Sequence, residues 1–388
     1  MSKHLLDIYN PFKVEFLYAK GSTLFDKKGK DYIDFTSGIG VNCLGHGNKK
    51  LVKTIANQAK KIIHVSNIYP IKTQEECAKK VALLSGYKNM QGFFCNSGAE
   101  ANETAIKFIR KYAKCKGIKK HNIITLENSF HGRTLATLNA TGQKDKQLGF
   151  EPFPNEFIYA KDVQDIKNKI DKNSVAVMLE LIQGEGGIKA FDKKELQTLN
   201  QYLQEKGVLF VIDEIQTGVY RTGEFLASNF FELKPDIITM AKGLAGGLPI
   251  GLMMTKKINI FEKGDHGSTF GGNPLCTTTA VEVLTILEKK YRTKKIANTI
   301  CLFQKKLEKI FKTNNELFSS KSGVGLMLGL KLKEEEKLQS LLEVCLKNQV
   351  LVLKSGKDII RFLPALNISR KEINLGFKRF QKALDELK

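Results

Sequence analysis

The sequence predicts an α/β protein: a large unit with a mostly parallel central sheet, followed by a smaller α+β unit. Three observations carry this. Short β-branched and aromatic runs alternate with stretches of helical period, as in strands joined by crossover helices. The runs are almost continuously apolar, the mark of strands buried on both faces. After residue 275 the alternation gives way to long amphipathic stretches and two isolated apolar runs.

The first 50 residues contain STLFDKKGKDYIDF, which reads as a hairpin turning near Asp26 and Gly29 and packing against the C-terminal unit. The large unit spans about 51–275. Its expected strands are GFFCN (92–96), NIITLE (122–127), VAVMLEL (175–181), VLFVIDEI (208–215), DIITMA (236–241) and GLMMT (251–255). Helices are expected over 99–114 and 193–207. In the C-terminal unit, 276–388, one or two long helices should fill 276–318. Strands are expected over 323–332 and 358–364, and a final helix closes the chain.

The chain has 388 residues and a net charge of +22, from 62 Lys+Arg against 40 Asp+Glu. A nucleic-acid protein tends to gather its basic residues on one stripe with aromatics between them. Here lysines interleave with acids along amphipathic segments such as KKIANTICLFQKKLEKIFK, so they read as solvated helix faces, and no nucleic-acid partner is expected. Seven cysteines stand far apart with no C-x-x-C pair, which suits reduced thiols in a cytoplasmic protein. The start, MSKHLLDIYNPFKVEF, lacks the apolar core of a signal peptide, and no apolar run reaches the ~20 residues of a membrane span. Six scattered histidines show no metal-ligand spacing, and there is no G-x-x-x-x-G-K-[ST], intact G-x-G-x-x-G or H-E-x-x-H.

Lys242 closes the run PDIITMAK and opens the Gly-rich stretch GLAGGLPIG. It is either a surface lysine at a loop or a nucleophile holding a carbonyl cofactor as a Schiff base, with small neighbours making room. Four other stretches bear on that choice. In CNSGAEANE, Ser97 and Glu100 form a capping box. A helix starting at Gly98 and Ala99 directly after a strand is either merely well capped or a ready phosphate site. In VLFVIDEIQTG, Asp213 ends an apolar strand, where α/β sheets bind ligands. There it either caps a turn or keeps a cofactor ring nitrogen protonated. ENSFHGRT places Phe130 and Arg133 together, as a ring to stack and a cation for a carboxylate, or as an exposed pair. GDHGSTFGGNP carries Ser268 and Thr269 in a glycine-rich loop. His131 and His266 lie in these stretches and read as supporting residues.

Taken in order, nine stretches from KGSTLFDKKGKDYIDF through HVSNIYP, NSGAEANE, SFHGRT, IQGEGG, VIDEIQTGVYRTG, AKGLAGGLPIG and DHGSTFGGNP to IRFLPALNIS resemble the class III pyridoxal-phosphate aminotransferases of fold type I. The resemblance implies pyridoxal 5'-phosphate as cofactor and Lys242 as its covalent anchor and proton shuttle. It implies Asp213 on the pyridinium nitrogen, Gln216 near the phenolic oxygen and Phe130 on the ring. Ser97, Gly98 and Ala99 would hold the phosphate, with Thr269 reaching it from the second subunit of a homodimer. Arg133 and Arg361 would take substrate carboxylates, Ser268 would sit beside the substrate, and Glu185 would neutralise Arg361 reversibly. The wording GIGVNCLGH, HVSN and DHGSTFGGNP is similar to members that exchange an amino group between N2-acetylornithine and 2-oxoglutarate in arginine biosynthesis. Ornithine, succinylornithine, N-succinyl-diaminopimelate and 4-aminobutyrate stay open as donors, as does an aminomutase or a basic binding protein on the same fold. Leu181 and Ala365 stand where the family usually has proline.

Overall fold

The computed structural model describes residues 4–387. Residues 1–3 of the amino-terminal segment and residue 388 of the C-terminal unit lie outside the described residues. The chain opens with three antiparallel strands, β1 (Phe16–Lys20), β2 (Thr23–Asp26) and β3 (Asp31–Asp34). The expected hairpin is β2–β3. Gly29 takes φ +75° in its turn, and Asp26 Oδ1 accepts from the amides of Lys28 at 2.8 Å and Lys30 at 2.9 Å.

The central sheet follows as β4 (Gln91–Cys95), β5 (Asn122–Leu126), β6 (Phe157–Ala160) and β7 (Ser174–Leu179). The short antiparallel pair β8 (Ile182–Gln183) and β9 (Lys189–Ala190) interrupts it, enclosing the loop that carries Glu185. The sheet resumes with β10 (Leu209–Asp213), β11 (Ile237–Met240) and β12 (Gly251–Thr255). Spatial order is β4-β12-β11-β10-β7-β5-β6. Only β12 runs against its neighbours, so the sheet is α/β and mostly parallel, as expected. Side chains alternate between two cores: Phe210 and Ile212 join one, Leu209 and Val211 the other, together with Ile106 and Ile109 of the helix Gly98–Cys115. Burial on both faces is why these strands read as unbroken apolar runs. The seventh strand, β6, was not expected; it is a four-residue edge strand of half-buried side chains, too short and too mixed to stand out.

Two helices, Pro274–Arg292 and Lys295–Thr313, occupy the expected helical stretch. The expected strand over 323–332 is instead a hairpin of β13 (Phe318–Val324) and β14 (Met327–Leu332). Its turn forms because Gly325 adopts φ +63° against the carbonyl of Arg221, where a Cβ would overlap. The strand β15 (Val350–Leu351) pairs in parallel with β3, while β16 (Leu353–Ser355) and β17 (Ile359–Phe362) complete the sheet of β13 and β14. The helix Arg370–Leu387 ends the chain. Phe35 from the amino-terminal segment packs on Phe303, Phe362 and Phe377 at centroid distances of 5.0, 6.2 and 5.2 Å. Burying such a ring contributes about 1.5–3 kcal/mol, which ties the first strands to the C-terminal helices. Among the described residues, no helix is long and apolar enough to cross a membrane, and no group of three or more metal-ligating side chains is found.

Candidate active site

Because β4, β5, β7, β10 and β11 run the same way, their carboxyl ends meet on one edge of the sheet. A cavity of about 410 Å³ lies there, lined by Ser97, Gly98, Ala99, Phe130, Asp213 and Lys242 among others. This is the place where α/β sheets bind ligands.

Ser97, two residues after β4, caps the helix Gly98–Cys115, its Oγ accepting from the Glu100 amide at 3.1 Å and its carbonyl from the Ala101 amide at 3.1 Å. The return bond of the capping box goes one residue earlier than expected: Glu100 accepts from the Asn96 amide at 2.6 Å and from Asn96 Nδ2 at 3.2 Å. The first-turn amides that neither bond uses, those of Gly98 and Ala99, lie in the cavity wall. A Cβ on Gly98 would come within 2.8 Å of Ile215, so only glycine lets the helix end approach this closely.

Asp213 is buried at the end of β10. Its Oδ2 accepts from Asn102 Nδ2 and His131 Nδ1, each at 2.8 Å, and its Oδ1 from the Ile215 amide at 3.0 Å. The adjacent Glu214 points away, its carboxylate accepting from the amides of Ala227 and Ser228 and from Thr217. Lys242 follows β11 in a strained backbone conformation, φ +43°, of the kind that persists where surroundings over-determine it. Burial lowers its pKa, and the carboxylates of Glu185 and Asp213 only partly oppose that.

The loop between β8 and β9 meets β17. Arg361, buried, donates to Glu185 at 2.6 Å, to the Gly184 carbonyl at 3.0 Å and to Gln216 Oε1 at 3.2 Å. Burial alone would raise the pKa of Glu185, but Arg361, with Lys242 and Lys146, outweighs it and holds the carboxyl below its ordinary value. Arg133 is exposed at the cavity rim, its guanidinium 5.8 Å from the Phe130 centroid. Ser268 touches the cavity through Asn96, whose Nδ2 donates to its Oγ at 3.2 Å. Thr269 is exposed and lines no part of this cavity.

Several residues of the site were not foreseen from the sequence. Glu180, just beyond β7, accepts from the amides of Phe130 at 2.8 Å and Gly184 at 3.1 Å. Burial raises its pKa to about 7, with His131 opposing and Asp213 adding to the shift. Asn102 and His131 hold Asp213, and Lys146 stands over Phe130. His131 was expected as a supporting residue of the SFHGRT stretch, though not its partner, and Glu180 had a signal too: it ends an apolar run inside the same ELIQGEGG motif as Glu185.

The residues present fit pyridoxal phosphate. A helix amino terminus suits its phosphate, a buried carboxylate between an amide and an imidazole suits its ring nitrogen, and a lysine with a lowered pKa suits its aldehyde. His131 Nε2 and Asn102 Oδ1 are buried without a hydrogen-bond partner among the described residues, so the groups that hold Asp213 keep unused polar capacity.

Comparison with known proteins agrees. Residues 9–384 match the family model described as aminotransferase class-III. The acetylornithine aminotransferase of Wolinella succinogenes is 47% identical over 384 residues, covering 98% of both chains. A solved N-acetylornithine aminotransferase from Stenotrophomonas maltophilia is 32% identical with a TM-score of 0.83, covering 97% of this chain and 96% of that one. The ornithine aminotransferase of Toxoplasma gondii, whose structure holds pyridoxal phosphate at partial occupancy in its active site, superposes with a TM-score of 0.92 at 28% identity, covering 99% and 92%. A carboxylate, a lysine and a helix amino terminus around one cavity are thus accompanied by a family match across almost the whole chain: this protein belongs to the class-III aminotransferases, which work with pyridoxal phosphate.

Proposed function

We propose that the protein transfers the terminal amino group of N2-acetyl-L-ornithine to 2-oxoglutarate, giving N-acetyl-L-glutamate 5-semialdehyde and L-glutamate. The observation that carries this is the Arg361–Glu185 pair, 2.6 Å long, with Arg133 at the rim left without an ion-paired acid among the described residues. Glutamate and 2-oxoglutarate bring one carboxylate next to the reacting carbon and one away from it. Acetylornithine brings only a remote one. A site serving both needs an arginine that can be covered when no adjacent carboxylate arrives, and Glu185 covers Arg361.

When bound, pyridoxal phosphate supplies the electron sink that lets the substrate carbon give up a proton. The protein's part is positioning and proton transfer. The Gly98 and Ala99 amides and Ser97 would hold the phosphate, and Phe130 would bound the ring. Asp213, held by His131 and Asn102, would meet the ring nitrogen, and Gln216 would lie near the phenolic oxygen. Lys242 Nζ would anchor the cofactor and, once displaced by the incoming amine, take the proton from the carbon bearing that amine and pass it to the cofactor side; its lowered pKa makes the neutral amine available. Arg361 binds the carboxylate next to that carbon, and Glu185 swings away to admit it.

The reading includes a homodimer in the cytoplasm, with Thr269 serving the partner's site, and a division at about residues 50 and 275. Thr269 is exposed and does not line its own cavity; its neighbour Phe270 and Ile63, Ile68 and Tyr69 are exposed too. The two stretches that carry them meet: Phe270 packs on His64 at 5.4 Å and Asn67 Nδ2 donates to the Ser268 carbonyl at 2.9 Å. An apolar surface of this kind suits a subunit contact.

The test is spectroscopic. Protein loaded with pyridoxal phosphate should lose its visible absorbance on addition of N2-acetylornithine and regain it with 2-oxoglutarate, and borohydride should fix the cofactor to Lys242. A stronger response to ornithine, 4-aminobutyrate or a succinylated amine would replace the donor. A chain that neither binds the cofactor nor is labelled at Lys242 would end the proposal.

A further inference from the structure

Two cations meet at one aromatic ring on the rim of the site. The Arg133 guanidinium lies 5.8 Å from the Phe130 centroid, and Lys146 Nζ lies 5.4 Å from the same centroid. Lys146 is not loosely placed. Its Nζ donates to Gln143 Oε1, and Gln143 Nε2 donates to the carbonyls of Ser129 at 3.1 Å and Asn128 at 3.3 Å. Gly186, next to Glu185, packs so closely on Asn128 that a Cβ would overlap it. The lysine therefore hangs from the same backbone that supports the Glu185 loop.

Neither Arg133 nor Lys146 is ion-paired with an acid among the described residues, and Glu185 is engaged by Arg361. Burial lowers the Lys146 pKa. Arg133 and Arg361 push the same way, against Glu185 and Glu180. Like charges gathered in a half-enclosed place repel in the free protein, and an anion that arrives with the substrate relieves that repulsion.

We infer that Lys146 and Arg133 together seat the substrate carboxylate remote from the reacting carbon, with Lys146 setting how tightly that carboxylate is held. The inference rests on the aminotransferase reading above. Both partners carry such a group: the α-carboxylate of acetylornithine, far from its reacting amine, and the distal carboxylate of glutamate or 2-oxoglutarate. Arginine offers a rigid planar fork, and lysine a point charge on a flexible stem. The combination suits two ligands that present the group at different depths.

The experiment compares wild type, Lys146→Met and Lys146→Arg with N2-acetylornithine and with N-acetylputrescine, which has the same reacting amine but no carboxylate. Lys146→Met should raise the KM for acetylornithine about tenfold more than that for N-acetylputrescine, the scale of one charge-assisted hydrogen bond. Lys146→Arg should restore most of it. Glutarate, a dicarboxylate that cannot react, should lose competitive inhibition by a similar factor in Lys146→Met. Equal effects on the two donors, or none, would overturn the inference and leave Lys146 as packing for Phe130. If wild type prefers another donor, the functional reading fails, while the 2-oxoglutarate KM and the glutarate inhibition still decide the role of Lys146.

Discussion

Arg361 reaches from β17 of the C-terminal sheet to Glu185 in the loop between β8 and β9, closing a 2.6 Å ion pair from a buried guanidinium. Arg361 Nε has no hydrogen-bond partner among the described residues, so the guanidinium keeps a donor in reserve for a bidentate carboxylate. The pair thus leaves the guanidinium with unused capacity, as the proposed gate requires.

Removing the cover should bias the site. In Glu185→Gln, Arg361 is left charged and weakly covered, so dicarboxylates gain and donors without an adjacent carboxylate lose. The ratio of KM for acetylornithine to KM for glutamate should rise about tenfold, the scale of one charged hydrogen bond. Separate stopped-flow half-reactions with each donor measure it, and an unchanged ratio would remove Glu185 as a gate.

Asp213→Asn keeps the shape and removes the charge that the ring nitrogen requires. The amide can still meet His131 or Asn102, so thermal unfolding should change little while kcat falls roughly hundredfold or more, as for other lost electrostatic contacts to a reacting group. Single-turnover rates on fully loaded protein check this. A variant as fast as wild type would show that Asp213 is structural.

Gly98→Ala sets a methyl group 2.8 Å from Ile215. Overpacking of that kind costs about 1–3 kcal/mol, and here it also moves the helix amino terminus away from the phosphate. Denaturant unfolding and cofactor affinity should both weaken, and the double variant with Ile215→Val should recover part of each.

Glu180 has its pKa raised to about 7 by burial. A carboxyl whose folded pKa lies above its unfolded value binds its proton more tightly when folded. Wild-type stability therefore declines as pH rises from about 4.5 to about 7, and the cost is full above that. Glu180→Gln removes this slope, so its stability relative to wild type should improve across that window and then level off. Unfolding curves at pH 5 and pH 8 decide it; a constant difference would mean that Glu180 is already ionised at the lower pH.

Much of the fold was legible in the residues. Strand β12 lies where GLMMT placed it, and the helix from Gly98 begins where Ser97 and Glu100 announced it, because apolar runs and capping chemistry are local signals. The hairpin of β13 and β14 was not legible as two strands: its turn depends on Gly325 meeting a carbonyl from Arg221, far away in sequence. Lys242 was singled out by its neighbours, and the structure puts it in the cavity wall.

By itself the sequence determined the α/β architecture, the ends of the strands that carry chemistry, and the family with its cofactor. These follow from periodicity, caps and motifs that a few adjacent residues encode. Only the tertiary structure decided that Glu214 turns away from the cavity to hold the amides of Ala227 and Ser228, that His131 and Asn102 hold Asp213, that burial pushes the Glu180 pKa up to about 7, and that Lys146 joins Arg133 at one ring. Each of those depends on which groups separate stretches of chain bring within a few ångströms, and on how much water they exclude there. Desolvation and Coulomb forces act through that space, and no local run of residues specifies it.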